Sequence, residues 1–303
     1  MEKQLLLEDH IRKNKRDTVI ICLFMVLLLF SVVFAIGFAL GYPPYITMAI
    51  ALPISVFYIL MTYSFSVQSV IAAAGARPAN PMIREEKLLI YKVEEMALAA
   101  GLPTPKVYVQ DSKDINAFAT GRKPDEAIIC ATTGALQQLN NEELEGVMGH
   151  EMSHIRNRDI LVMTVTVGVV GTIALLAEIA IRALFWGGGA RGSGKRDGGG
   201  GGILIIVAII FVILAPIFSR LTYLAISRRR EYLADADGAY LTRNPEGLAQ
   251  ALEKIKADIP DDPKGSKTVA PLYIANPFSR ALRDSIWSTH PPLDERIRRL
   301  RSM

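Results

Sequence analysis

Cysteine and histidine are both scarce in this chain of 303 residues, which contains two Cys and four His. The cysteines, Cys22 and Cys130, lie far apart in the sequence and form no Cys-x-x-Cys pair. This excludes a disulfide framework and a cysteine-ligated zinc knuckle, and the polar part of the chain is expected to face a reducing compartment. A metal site would have to use histidines and carboxylates instead.

Charge is absent from Thr18 to Ala76, although charged residues make up 21% of the chain and the net charge is +4. This uncharged run is too long for one membrane span and contains a turn signal at 41–45. Two transmembrane helices are therefore predicted at about 18–40 and 46–68. A cleaved signal peptide, with an apolar region of only ~7–15 residues, fits the first run less well. Because half of all residues are hydrophobic, the composition indicates a membrane protein that also carries a sizeable polar domain.

Basic residues flank the uncharged run on both sides, whereas the short loop inside it has none. By the positive-inside rule, the N-terminus and the segment after Ala76 are predicted to lie in the cytoplasm. Two further apolar runs, at 160–177 and 203–219, are separated by a Gly-rich loop at 187–202. This pattern predicts about four transmembrane helices, and the alternative is that the last two form a hairpin that does not fully cross. The basic residues indicate lipid headgroups, and not nucleic acid, as their partner.

His150 and His154 form a His-Glu-x-x-His pattern within 140–159, a segment with helical apolar spacing. On a helix, the two imidazoles project from one face a turn apart and can bind a single metal ion. Glu151 lies beside them and is the predicted general base, which accepts a proton from the attacking water. Two surface histidines on a solvated helix are the alternative. If the helix continues unbroken to Ile160, the metal lies only ~9 Å from the apolar boundary, at the membrane surface.

A third metal ligand has to come from elsewhere in the chain. A hydrolytic zinc site takes three protein ligands, and the two remaining histidines lie far from the pair in sequence. A carboxylate is therefore predicted. Glu231 is the best candidate, because Asp235, one helical turn later, could accept the outer N–H of a zinc-binding histidine. Asp159 and Glu178 are alternative ligands, and a merely solvated acidic helix face is a further possibility.

Short β-strands are predicted at 106–110 and 127–131, with a candidate edge strand at 116–121 between them. A protease must hold its substrate extended, and an exposed sheet edge does so by adding the peptide as one more strand. An ordinary hairpin arm is the alternative explanation for 116–121.

Helices in the polar part of the chain are predicted at 81–100, 245–257 and 293–300. The stretch 258–289 between the last two is long and rich in Pro, Asp and Ser. A loop of that length is either disordered or a mobile cover over the cleft.

Four stretches together resemble the HtpX-type membrane-bound zinc metallopeptidases, which are related to the CAAX prenyl proteases and belong to the Glu-ligand zincins. The stretches are Asn116-Ala117-Phe118, Gly149 to His154, Ser227 to Asp237, and His290-Pro291-Pro292. The metal ligands that the resemblance implies, for one Zn²⁺ per chain, are His150, His154 and Glu231.

The resemblance also implies roles for residues around the metal. Glu151 would be the general base, Asp235 would hold a zinc-binding histidine in place, and His290 would help to stabilise the tetrahedral oxyanion. The residues implied on the substrate-binding edge are Asn116, Ala117 and Phe118.

The predicted fold is mainly α with a small β-sheet: a multi-span helical membrane protein with a zincin-like metallopeptidase domain at the cytoplasmic face. The predicted parts are an N-terminal tail with two transmembrane helices (1–76), two parts of the metallopeptidase domain (77–159 and 228–303), and the third and fourth apolar helices (160–227).

The resemblance implies a location in the bacterial inner membrane. It also implies hydrolysis of misfolded or membrane-associated polypeptides in stress-linked protein quality control. The alternative function is a non-catalytic membrane scaffold with a structural zinc site. The pattern favours the enzyme, because a structural site normally has four protein ligands and no use for Glu151.

Overall fold

The computed structural model describes residues 2–39, 42–167, 228–258, 269–276 and 291–303. The helices are α1 (Glu2–Ala39), α2 (Pro44–Ala74), α3 (Arg84–Ala100), α4 (Thr133–Gln138), α5 (Asn141–Arg156), α6 (159–167), α7 (Arg228–Thr242), α8 (Pro245–Asp258) and α9 (Leu293–Arg301). The strands are β1 (Ala76–Pro78), β2 (Lys106–Gln110), β3 (Ala117–Thr120) and β4 (Ile128–Thr132). Short 3₁₀ turns occur at Pro124–Glu126 and Ala270–Leu272. The predicted, mainly helical fold with a small sheet is confirmed.

The first two predicted membrane spans fall within α1 and α2, which pack against each other. Among the described helices, α2 is the one whose length and apolar composition suit a membrane crossing. Leu23 and Leu27 on α1 and Phe57 and Leu60 on α2 are all more than half exposed. An apolar surface of this extent indicates contact with lipid or with another protein. The predicted spans beyond residue 167, with the Gly-rich loop, lie outside the described residues.

The sheet is mixed and has the strand order β1-β2-β4-β3. β2 and β4 are parallel, whereas β1 pairs with β2 and β3 with β4 in antiparallel fashion. β3 lies at one edge of the sheet, as predicted, but all four of its residues are buried. The backbone N–H of Ile274 donates to the carbonyl of Ala117 at 2.9 Å, so residues 269–276 cover that end of the edge. This described part of the predicted loop is therefore packed against the sheet.

α5 lies at the centre of the helical layer and contacts α3, α7 and α8. Two glycines allow a very close crossing of α5 and α7. A Cβ placed on Gly238 of α7 would lie 2.8 Å from the backbone nitrogen of His150, and one on Gly149 would lie 3.1 Å from the carbonyl oxygen of Gly238. This approach brings the first turns of α7 against the His150 face of α5.

The helix that carries the two histidines does not continue unbroken to Ile160, so the condition for the ~9 Å distance is not met. α5 ends at Arg156, residues 157 and 158 form a turn, and a helix resumes at 159. Tertiary hydrogen bonds hold this turn in place. The amide of Asn157 donates to Asp237 of α7 at 3.0 Å, and the amide of Asn14 on α1 donates to the carbonyl of Asn157 at 3.0 Å.

The other helix boundaries lie close to the predictions. α3 begins at Arg84 and not at Pro81, because residues 80–83 form a turn in which the side chain of Asn80 accepts from the backbone N–H of Met82. α8 and α9 each extend one residue beyond the predicted helices at 245–257 and 293–300.

Candidate active site

The start of α5 is fixed by a capping box. The side-chain oxygen of Asn140 accepts hydrogen bonds from the backbone N–H groups of Glu142 and Glu143 at 3.0 and 2.9 Å. The carboxylate of Glu143 accepts in return from the backbone N–H of Asn140 at 2.8 Å. A fixed start sets the rotation of every later residue, and the helix turns His150 and His154 toward the same buried face.

Three possible ligand atoms converge at this face. The Nε2 atoms of His150 and His154 are 3.2 Å apart. The carboxylate of Glu231, in the first turn of α7, lies 3.8 Å from the first Nε2 and 3.7 Å from the second. In a tetrahedral zinc site with bonds of ~2.0–2.1 Å, neighbouring ligand atoms are about 3.3–3.4 Å apart. The two imidazoles and one carboxylate therefore fit a divalent metal ion.

A carboxylate holds the outer nitrogen of each imidazole. The Nδ1 of His150 lies 3.0 Å from Asp235 of α7, and the Nδ1 of His154 lies 3.2 Å from Asp159. Contacts of this kind fix the ring orientation and leave Nε2 available to a metal ion. Asp235 contacts the outer nitrogen of a histidine, as its spacing from Glu231 predicted. Asp159 was an alternative third metal ligand in the sequence analysis. In the structure it contacts Nδ1 of His154, on the side of the ring away from the other ligand atoms.

Burial and neighbouring charge act differently on the two imidazoles. Burial lowers the pKa of His150 below its ordinary value. Burial acts the same way on His154, but the hydrogen bond to Asp159 and the nearby charge of Glu231 outweigh it and raise the pKa to about 9. Because a metal ligand must be a neutral imidazole, a bound cation competes with this proton.

Glu151 is buried beside the three ligand atoms, and burial raises the pKa of its carboxyl group to about 7. Neither carboxylate oxygen makes a hydrogen bond to any residue in the described parts of the chain. The backbone of Ala119 on β3 lies near enough to favour the charged form, although its N–H does not reach hydrogen-bonding geometry. A buried carboxylate without a partner is costly, so this one is a candidate for a functional role.

Arg296 on α9 balances the negative charge of this cluster and is itself fully buried. Its Nε and Nη2 donate to the two oxygens of Asp235 at 2.8 and 2.7 Å. Its Nη1 donates to the carbonyl of Ile274 at 2.8 Å and lies 3.5 Å from Glu231. Burial by itself would raise the pKa of Asp235, but the charge of Arg296 outweighs it and holds that pKa below its ordinary value.

The similarity of this chain to known proteins fits this geometry. Residues 84–303 match the profile of "Peptidase family M48". The chain belongs to peptidase family M48. Similar members are the "Protease HtpX homolog" of Thermoanaerobacter pseudethanolicus, 44% identical, and that of Caldanaerobacter subterraneus subsp. tengcongensis, 46% identical. In each comparison the match covers 96% of this chain and 96% of the relative.

A solved structure of similar fold is described as the crystal structure of S. mikatae Ste24p. The TM-score is 0.50 at 22% sequence identity, and the match covers 91% of this chain but only 62% of that chain. At this identity the likeness concerns the fold alone. The curated relatives, in contrast, confirm the resemblance to the HtpX-type metallopeptidases that the sequence motifs indicated.

The predicted substrate-binding residues of this M48 chain lie at the sheet edge, where two of their side chains make internal contacts. Asn116 donates through its amide to the carbonyl of Ala275 at 2.9 Å. The ring of Phe118 packs edge-on against Tyr273, with the ring centroids 5.5 Å apart. These two side chains therefore anchor residues 269–276. Ala117 offers its backbone carbonyl to the same segment.

Two predicted site residues of this M48 chain, His290 and the alternative ligand Glu178, lie outside the described residues. Sequence reasoning also missed Arg296, although a signal was present. Arg296 lies next to Ile297 on α9, and both belong to the face of that helix that carries Leu293 and Leu300. An arginine inside an apolar stripe of a helix indicates a buried acidic partner.

Proposed function

We propose that this chain is a membrane-bound zinc endopeptidase, with one Zn²⁺ held by His150, His154 and Glu231. The observation that carries the proposal is the convergence of their ligand atoms, all within 4.8 Å of one another. The carboxylate of Glu151 lies beside them without a hydrogen bond to any described residue. The same arrangement supplies both a metal site and a base, which is what hydrolysis of a peptide bond requires.

The chemistry divides between the metal and the protein. A bound zinc ion lowers the pKa of water toward ~7 and polarises the peptide carbonyl. Glu151 accepts the proton of the attacking water at its carboxylate and then delivers it to the leaving amine. In the metal-free chain burial raises the pKa of Glu151 to about 7, above its ordinary value, which favours a group that both accepts and releases a proton. Asp235 keeps the imidazole of His150 oriented, and His290 stabilises the oxyanion.

The substrates of a protease are polypeptides, and we propose misfolded or membrane-associated proteins as the class. β3, with Asn116, Ala117 and Phe118, forms the edge at which the peptide is held, and binding there requires residues 269–276 to release the carbonyl of Ala117 that Ile274 now contacts. About four transmembrane helices anchor the chain in the bacterial inner membrane, with the N-terminus and active site on the cytoplasmic side. The exposed apolar side chains of α1 and α2 and the basic residues on both sides of the uncharged run support this placement.

The proposed division of the chain follows from this topology. Residues 1–76 contain the N-terminal tail and two transmembrane helices, and residues 160–227 contain the next two. The metallopeptidase domain is formed by 77–159 and 228–303. The packing of α5 against α7 and α8 supports this, since it joins the two parts into one hydrophobic core.

The decisive experiment is Glu151→Gln in the purified, zinc-loaded chain, with casein as an unfolded substrate. Cleavage should fall by about 10²–10⁴-fold, because the amide cannot accept the proton. Zinc content and the thermal unfolding midpoint should stay unchanged. The matched control is Glu142→Gln, an exposed glutamate on the same helix, which should leave cleavage intact. Normal cleavage by the Glu151→Gln variant would refute the proposed base.

The metal ligand set is tested separately by Glu231→Gln. Zinc measured by atomic absorption should drop well below one ion per chain, because the variant loses one of three ligands. Asp237→Asn on the same helix is the control, since Asp237 contacts Asn157 and lies outside the ligand group. Full zinc retention after Glu231→Gln would assign the third ligand to another residue.

A membrane scaffold with a structural zinc ion is the second candidate function. Such a site would have four protein ligands. In the part of the chain that the structure describes, three side chains gather, His150, His154 and Glu231. If the scaffold is correct, the zinc-loaded wild type will cleave no polypeptide, and removal of zinc with a chelator will lower only its stability.

A further inference from the structure

A groove of about 670 Å³ lies between α1, α2 and the start of α6, and its lining includes none of the metal-site residues. One wall is apolar. Val19, Cys22, Leu23 and Val26 line it along α1, and Leu161 adds to it from α6. The four residues of α1 follow helical spacing on one face and extend over about 11 Å of helix. The volume lies within the range of ~300–1,000 Å³ that is usual for small-molecule sites.

The same groove is lined by four basic side chains, Lys15, Arg122, Lys123 and Arg158. Glu126 is the acidic residue in the described lining. Its carboxylate pairs with Arg122 at 2.8 Å and with Lys123 at 3.3 Å, so these two cations are partly neutralised. Lys15 and Arg158 form no direct ion pair with a described carboxylate, although the charge of Asp125, which pairs with Lys123 at 2.7 Å, also acts on Arg158. The groove therefore carries an excess of positive charge.

Lys15 and Arg158 are held near each other by hydrogen bonds of the residues next to them. The amide of Asn14 donates to the carbonyl of Asn157 at 3.0 Å and to the carboxylate of Asp159 at 2.7 Å. Arg158 also has a left-handed backbone, with φ of 59°, a conformation that a non-glycine residue rarely adopts. Both side chains line the groove, so positive charge accumulates there, and an anion bound in the groove is attracted to both.

We propose that this groove binds one anionic phospholipid, with an acyl chain along the α1 wall and the phosphate at Lys15 and Arg158. The proposal rests on the proposed membrane placement of α1 and α2. A basic end and an apolar wall in one groove fit a molecule that joins a phosphate to a hydrocarbon chain. Free phosphate would leave the apolar wall uncovered, and a zwitterionic lipid would bring no net charge to the two cations.

An aromatic residue supports this orientation of the lipid. The guanidinium of Arg122 lies 5.4 Å from the centroid of the Tyr63 ring, which also lines the groove. Tyrosine is enriched at the level of lipid headgroups, where its ring and hydroxyl face different surroundings. The basic end of the groove thus lies at the depth where a lipid phosphate would lie.

The test uses the full chain in phosphatidylcholine nanodiscs that contain a minor fraction of phosphatidylglycerol, followed by native mass spectrometry. The wild type should retain one phosphatidylglycerol per chain, enriched about tenfold or more over its share of the bilayer, because basic residues near the surface attract anionic lipid. Equal retention of phosphatidylglycerol and phosphatidylcholine would overturn the proposal.

The double variant Lys15→Gln/Arg158→Gln should lose this enrichment. The matched control is Arg16→Gln/Arg156→Gln, which removes the same charge from neighbouring positions outside the groove and should keep it. Cys22→Trp should also lose the lipid, because the indole fills the apolar wall without changing the charge. Zinc content reports whether each variant has folded. Unchanged enrichment in both groove variants would overturn the proposal.

Further outcomes distinguish a lipid from a soluble anion, and failure of the lipid proposal from failure of the proposed membrane placement. Displacement of the lipid by millimolar inorganic phosphate would identify a soluble-anion site and overturn the lipid assignment. A chain that does not enter the nanodisc at all would refute the membrane placement, and the lipid proposal with it. Failure of lipid selectivity in an inserted, casein-cleaving chain would refute only the lipid proposal.

Discussion

The two histidines of α5 are held by different parts of the molecule. His154 is anchored by Asp159, only five residues further along the chain. His150 is anchored by Asp235, which reaches it from α7 in the second part of the sequence. One support is therefore a local turn and the other is a long-range contact between helices. A short motif on one helix thus depends on two supports that can be broken separately.

The two supports also differ in how their charge is compensated. Asp235 forms a bidentate pair with the fully buried Arg296. Asp159 accepts from the neutral amide of Asn14 at 2.7 Å and lies 3.6 Å from Arg230, which is partly exposed. Loss of a buried charge partner costs more than loss of a neutral hydrogen bond. The His150 side should therefore be the more fragile of the two.

The largest loss of stability is expected from Arg296→Met. This variant leaves the buried carboxylates of Asp235 and Glu231 without their compensating charge. The free energy of unfolding should fall by about 3–5 kcal/mol. The loss should be greater in the metal-free chain, because a bound cation neutralises the same carboxylates. Thermal unfolding with and without zinc measures both effects. Arg298→Met, whose side chain is 76% exposed on the same helix, is the control. Equal losses for the two variants would contradict this account of the site.

An intermediate effect is expected from Asp235→Asn and Asp159→Asn. Each should weaken zinc binding by about 10–100-fold, because an imidazole loses the carboxylate that orients it. Asp235→Asn should also lower stability more, since it leaves Arg296 buried without its charge partner. Competition with a chelator gives the zinc affinity, and thermal unfolding gives the stability. A greater loss of stability in Asp159→Asn than in Asp235→Asn would contradict the claim that the His150 side is the more fragile.

The smallest effect is expected from Asn14→Ala, which removes the link between α1 and the turn after α5. Stability should fall by about 1.5–3 kcal/mol, because one of the two lost hydrogen bonds goes to the carboxylate of Asp159. Zinc affinity should change by less than ~10-fold, because Asp159 keeps its contact with His154. Arg16→Ala, an exposed neighbour on α1, serves as the control. A larger loss of zinc than in Asp159→Asn would show that α1 itself orients the site.

Much of the site could be predicted from the sequence, because its decisive residues follow helical spacing. The His150-to-His154 interval and the capping box at Asn140 depend only on helix geometry, and both appear in the structure. The Glu231-to-Asp235 interval is also one turn, and it places one carboxylate at the metal group and the other at the outer nitrogen of His150. β2, β3 and β4 were predicted within a few residues from alternating or apolar runs, and α8 and α9 from helical patterns, whereas β1 and α4 were not predicted.

Three features were decided only by the tertiary structure. The break after Arg156 depends on hydrogen bonds from Asn14 and to Asp237, which belong to other helices. The covering of the β3 edge depends on Ile274, far along the chain. The burial of Arg296 depends on the packing of α9 against α7. Spacing within a helix is a property of a short stretch of sequence. The partner of a buried charge is determined by which elements pack together, and no short stretch contains that information.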